Sequence, residues 1–200
     1  MFNIIRKISR GIEKVYNFEV ISPKYVPMTQ LFVFINISVF ILQRVFPNIT
    51  EVYVFRSDCW YSYITACFLH SSFKHLASNM LFLCFIFPII EERYSSFFIF
   101  IAYLVTGAFG SIFTALFIPS QIGLGASGSV MGIMMIWIFH NLLEWKLLLT
   151  IFAILLIATE GMKAGQQIIG LGKNVGYLCH FGSALGAFFF LPIIVWKKLK

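Results

Sequence analysis

The sequence predicts an all-α membrane protein that crosses the bilayer six times. Three observations point there. First, 60% of the 200 residues are hydrophobic, 24 of them Phe, and only 12% are charged. A soluble domain is nearer half apolar and a quarter charged, so this surplus needs lipid as its solvent. Second, long apolar runs recur along the chain. Third, the net charge of +7 is gathered at the ends: five of fifteen basic residues precede residue 25 and three lie in the last four positions. That pattern flanks a membrane, and it argues against nucleic acid as a partner.

Residues 1–27 form a basic N-terminal segment expected in the cytoplasm. Ile4, Ile8, Ile12 and Val15 recur at helical spacing among Arg6, Lys7, Arg10 and Lys14. Either an interfacial amphipathic helix or a disordered basic tail fits this pattern. Residues 28–200 form the six-span domain. The spans are expected at roughly 28–46, 74–90, 96–118, 127–143, 146–160 and 176–196. Loop one (47–73) is polar and aromatic, with Trp60, Tyr61 and Tyr63 suited to the interface. Loop five gathers Gly161, Gly165, Gly170, Gly172 and Gly176, and is expected to move easily. Glu91, Glu92 and Arg93 read as a solvated inner loop, and His140 as structural. His70 precedes span two, with a water-lining and a plain interfacial role equally open.

Cys59, Cys67, Cys84 and Cys179 include no CxxC pair, so they read as small core residues. No cleavable signal is expected, because the first apolar run starts near residue 31. The distribution of Lys and Arg puts both termini on the cytoplasmic side. Spans two, four and six then run inward from the outer face. Ser127 opens span four, His75 and Asn79 lie in the first turns of span two, and His180 in the second turn of span six. At 1.5 Å per residue all four fall within about 10 Å of the outer helix ends.

Polar groups at membrane depth are costly, and their default reading is functional. A serine needs a base to become a nucleophile, and histidine titrates in the useful range. Asn79 and the free amides opening span four can donate to a developing oxyanion. His75 and Asn79, four apart, share a helix face. Gly128 with Gly132, and Gly182 with Gly186, are small-xxx-small pairs expected to bring spans four and six together. Asp58 and Glu51 lie in loop one and Glu160 on span five. No acid is placed to complete a triad, and a Ser-His dyad is the simpler expectation.

The stretches HSSFKHLASNM (70–80), GASGSVMG (125–132) and CHFGSALG (179–186) resemble, in order, the motifs of the rhomboid intramembrane serine proteases. The resemblance covers nearly the whole chain from about residue 28. It implies a rhomboid-like helical bundle with a water-filled cavity opening outward. Ser127 would be the nucleophile and His180 its base, with His75, Asn79 and the Ser127 amide holding the oxyanion. His70 matches the first histidine of the H-x4-H-x3-N segment, Glu91 the acidic residue after span two, and loop five the mobile cap. Four positions depart. Trp60-Tyr61 replaces a Trp-Arg pair, with Arg56 the nearest arginine, and Ser95 and Ser183 occupy glycine positions. Met131 stands where some members stack an aromatic on the catalytic histidine.

The resulting expectation is a serine endopeptidase of the bacterial inner membrane that cleaves single-span and other membrane-protein substrates. Ser71, Ser72, Ser78 and Asn79 would line the water route, and no metal or organic cofactor is implied. Two alternatives are a catalytically silent relative that binds membrane clients, and a small channel or transporter with a histidine proton relay.

Overall fold

The computed structural model describes residues 26–142, 147–170 and 176–199. Within 147–157 it describes only the side chains of 151, 154 and 155. Nearly all of the basic N-terminal segment, read as either an amphipathic helix or a disordered tail, and residues 171–175 of loop five lie outside these residues. Helices α1 (Pro27–Val45), α4 (Phe73–Arg93), α5 (Ser96–Phe117), α6 (Ser127–Leu142) and α7 (Leu147–Ile168) stand at the first five expected spans. The sixth is α8 (Tyr177–Gly186), which runs through a 3₁₀ turn (Ala187–Phe190) into α9 (Leu191–Lys198). Loop one folds into the short helices α2 (Asn48–Tyr53) and α3 (Ser62–Thr65) and a 3₁₀ turn (Ala66–Phe68). No strand occurs among the described residues. α1, α4, α5 and the continuous Tyr177–Lys198 unit are each long and apolar enough to cross a bilayer, and α6 is a shorter apolar helix of 16 residues. The protein is an all-α integral membrane protein.

Local chemistry sets several of these boundaries. Pro27 opens α1, where its missing N–H costs nothing. Ser72 caps α4 by accepting from the His75 amide, and Ser95 caps α5 by accepting from the Phe98 amide. Ser95 thus works as a cap where the resemblance leads one to expect glycine. Pro192 cannot donate to a carbonyl one turn back, and the 3₁₀ turn before it accommodates that loss. The first turn of α1 has no acid of its own, and Glu91 supplies one. Its carboxylate accepts from the Met28 and Thr29 amides, the Thr29 hydroxyl and Ser96 Oγ, at 2.6–2.8 Å. Glu91 is therefore a buried clasp within α4 and not part of a solvated loop, because two helix-start amides solvate it in place of water. At the same end Tyr94 Oη lies 2.7 Å from Nδ1 of His140, which is buried.

An aromatic and aliphatic core forms where α1, α4, α5 and α6 meet. Phe32 stacks on Tyr103 at 4.2 Å between ring centroids, beside Phe68, Phe87 and Phe100. Leu83, Ile90, Ile99, Ile133 and Ile136 fill the rest. Phe34, Phe85, Leu116 and Phe189 face outward, as lipid contact allows. In lipid the gain comes from close packing between helices, so small residues matter where backbones approach.

Here the glycine expectation needs correcting. A Cβ on Gly132 would lie 2.3 Å from Thr106 of α5. One on Gly182 would meet Phe113 at 2.4 Å, and one on Gly186 would meet Phe109 at 3.0 Å, both on α5. Only Gly128 faces α8, with Ser183 Oγ at 2.9 Å and Cys179 Sγ at 3.0 Å. Most of these glycines therefore seat α5 against its two neighbours, and a glycine pattern alone cannot say which helix it faces. Ser183, at a usual glycine position, is accommodated because Gly110 and Gly128 leave room for its hydroxyl.

Candidate active site

Three elements converge at the end of the bundle beside loop one. The chain reaches α6 through a turn that requires glycine. Gly125 has φ +129°, a conformation that L side chains rarely adopt, and a Cβ there would meet the His75 ring at 2.6 Å. The turn is held from outside: Phe55 and Gly123 form a single antiparallel bridge, and the Gly125 amide donates to the Ala66 carbonyl at 2.9 Å. Ser127 is then the first residue of α6, where main-chain amides lack partners within the helix. His180 is in the first turn of α8, with its amide donating to the Gly176 carbonyl at 2.9 Å.

Ser127 Oγ lies 2.9 Å from His180 Nε2, 53 residues apart in sequence. Both side chains are half-buried and line a partly open cavity of about 540 Å³. His75 and Asn79 line the same cavity, as do Ser71, Ser78 and Gly128. Ser71 Oγ lies 3.2 Å from His75 Nδ1, leaving Nε2 of that ring toward Gly125. All four side chains singled out in the sequence thus share one chamber. Of the expected water-route residues, Ser71, Ser78 and Asn79 line it, whereas Ser72 serves as the α4 cap.

His70 has neither of the two roles considered for it. It is fully buried behind the cavity, with Nε2 3.1 Å from Asn79 Nδ2, and its amide donates to Gln43 Oε1 at 2.9 Å. Burial, with His75 beside it, pushes its pKa down to about 4, so the ring is neutral at physiological pH. The Asn79 amide carries two hydrogens; one directed at His70 leaves the other for the cavity. Gln43 gave no sequence signal, because a lone glutamine near the end of an apolar helix reads as interfacial.

The largest surprise is Glu160. Its Oε2 lies 3.3 Å from His180 Nδ1, and the residue is buried. Its Oε1 is 3.3 Å from Lys163 Nζ, and that ammonium sits 5.0 Å over the Tyr177 ring. The expectation that no acid is placed near the histidine is therefore wrong. The fifth span was expected at roughly 146–160, short and open to continuing into the loop. The helix continues to Ile168, so Glu160 lies two turns, about 12 Å, inside its end and level with His180. Gly161 and Gly165 are accordingly helical, and the expected glycine loop is shorter than its composition implied. The aromatic contact that Met131 does not supply comes from Tyr177, edge-on to His180 at 6.3 Å. Among the described residues no three His, Cys, Asp or Glu side chains converge as metal ligands would.

Residues 57–197 match the Rhomboid domain. The chain is 26% identical over 183 residues to "Rhomboid-like protein 11, chloroplastic" of Arabidopsis thaliana, covering 84% of this chain and 64% of that protein. It is 34% identical over 130 residues to "RHOMBOID-like protein 6, mitochondrial" of the same plant, covering 62% and 40%. "RHOMBOID-like protein 2" is 30% identical over 128 residues, covering 62% and 39%. The chain thus spans less than two thirds of the length of these relatives. With a family match over most of its length, borne on an all-helical membrane bundle, this chain belongs to the rhomboid family.

Proposed function

We propose that the protein is an intramembrane serine endopeptidase acting on membrane-embedded segments of other proteins. The observation that carries the reading is the 2.9 Å approach of Ser127 Oγ to His180 Nε2 inside a polar cavity set among lipid-facing helices. Ser127 gives its proton to His180 as its oxygen attacks the scissile carbonyl. The negative charge on the carbonyl oxygen is met by the amide of Asn79, the ring of His75 and the main-chain N–H of Ser127. His180 then passes the proton to the departing amine, and water releases the acyl group by the reverse path. Substrates must unwind locally, because helical carbonyls are already occupied.

Family membership supports protease-like action on membrane substrates without separating an active enzyme from a silent relative. Incubation of the purified protein with single-span model substrates makes that separation. Hydrolysis is expected to fall at least ~10³-fold in Ser127→Ala and in His180→Ala, and a fluorophosphonate is expected to label wild type but not Ser127→Ala. Unchanged cleavage in Ser127→Ala, or none in wild type, would leave a client-binding protein. Both termini are proposed on the basic, cytoplasm-facing side. The chloroplastic and mitochondrial names among the relatives give a bacterial inner membrane no support.

A further inference from the structure

We infer that Glu160 of α7 is a positioning residue that completes a Ser127–His180–Glu160 relay. This rests on the protease reading above and extends it beyond a dyad. For Ser127 to donate to His180, Nε2 must be bare, so the neutral ring must carry its proton on Nδ1. An N–H half-buried in a membrane chamber needs an acceptor. The Glu160 carboxylate stands on that side of the ring at 3.3 Å. Its other oxygen faces the Lys163 ammonium at 3.3 Å.

The charge matters more after attack than before it. As the Ser127 Oγ–C bond forms, the serine proton moves to Nε2 and His180 becomes an imidazolium. Glu160 stays ionised, takes no proton, and stabilises that cation until the proton leaves with the amine. Few other groups could do this. Around His180 the titratable and charged neighbours are Glu160 and Lys163 on α7, His75 on α4 across the cavity, and Tyr177 and Cys179 on α8. Described residues of α5 and α6 present only the hydroxyls of Ser111, Thr114 and Ser127 to the chamber. Glu160 is the one acid among them. α7 is fixed at this height by Gln167, whose Oε1 accepts from the Leu178 amide at 2.9 Å and whose Nε2 donates to Gln121.

The test compares wild type, Glu160→Gln, Glu160→Asp and Ser127→Ala in detergent. In Glu160→Gln, kcat/KM is expected to fall ~10- to 100-fold, with KM nearly unchanged. The acid limb of its pH profile should move down by at least ~1 unit, because a neutral amide no longer favours the imidazolium. Glu160→Asp should recover part of the loss. Nitrogen-15 histidine NMR gives a readout independent of turnover. In wild type, neutral His180 should carry its proton on Nδ1, and Glu160→Gln in the Ser127→Ala background should lower its titration midpoint. A proton on Nε2 in wild type, or an unmoved midpoint and pH profile in Glu160→Gln, would overturn the relay while leaving Ser127-dependent cleavage intact. Failure of the protease reading shows instead as cleavage indifferent to Ser127→Ala, with the NMR arm still deciding the role of Glu160.

Discussion

Helices α6 and α7 are neighbours in sequence and opposites in construction. Eleven of the sixteen residues of α6 are buried, and its packing is apolar through Ile133, Met135, Ile136 and Ile138. Along α7 the buried residues, among those whose side chains are described, are Glu160, Ala164 and Gln167. These lie four and three apart, one stripe of a helix, whereas Ile151, Ile154 and Leu155 are exposed to lipid. A chain solvated by hydrocarbon therefore uses two kinds of adhesion. α6 is wedged by shape against α5 and α8. Among its described side chains, α7 is attached through Glu160 and Gln167, whose contacts go to α8 and to the segment ahead of α6. The difference teaches that Ser127 is carried by a helix buried on most of its faces, and the acid facing His180 by one whose described buried residues form a single stripe.

Three substitutions break or sharpen that contrast. The largest effect on stability is expected from Gly132→Ala, which puts a methyl 2.3 Å from Thr106 in the wedged helix. It should destabilise by about 1–3 kcal/mol in thermal unfolding, and an unchanged Tm would show that α6 tolerates slack. Gln167→Ala removes the acceptor for the buried Leu178 amide and the link to Gln121. A loss of ~1–2 kcal/mol is expected, read as faster hydrogen exchange around Leu178 and a slower reaction with a fluorophosphonate. Uniform loss of protection along α6 as well would mean the two helices are not separable. The smallest effect belongs to Gly165→Ala on α7, where nothing lies within 4 Å of the new methyl. It should be neutral or stabilise by up to ~1 kcal/mol, since alanine favours helix.

Much of this was legible beforehand, for physical reasons that differ by residue. Helix positions followed from apolar length, and the shared depth of Ser127, His75, Asn79 and His180 followed from counting rise per residue along alternating spans. Glu160 escaped the same counting because the reach of its helix beyond residue 160 was left open, and the helix runs on to Ile168. Polar residues near a span's end look like the start of a loop, although a helix with one polar stripe carries them comfortably. Glu91 was misread for a related reason: a run of charges looks solvated, and nothing local reveals that two amides of α1, some sixty residues upstream, take water's place. The glycines showed that helices would approach closely, but a lone periodicity has no address, and the α5 partners of Gly132, Gly182 and Gly186 came only with the fold.

The single rung between Phe55 and Gly123 has a mechanical consequence. It ties loop one to the turn that delivers Ser127, two residues beyond a glycine pinned against His75. A displacement of that loop would therefore be passed to the backbone that presents the Ser127 hydroxyl.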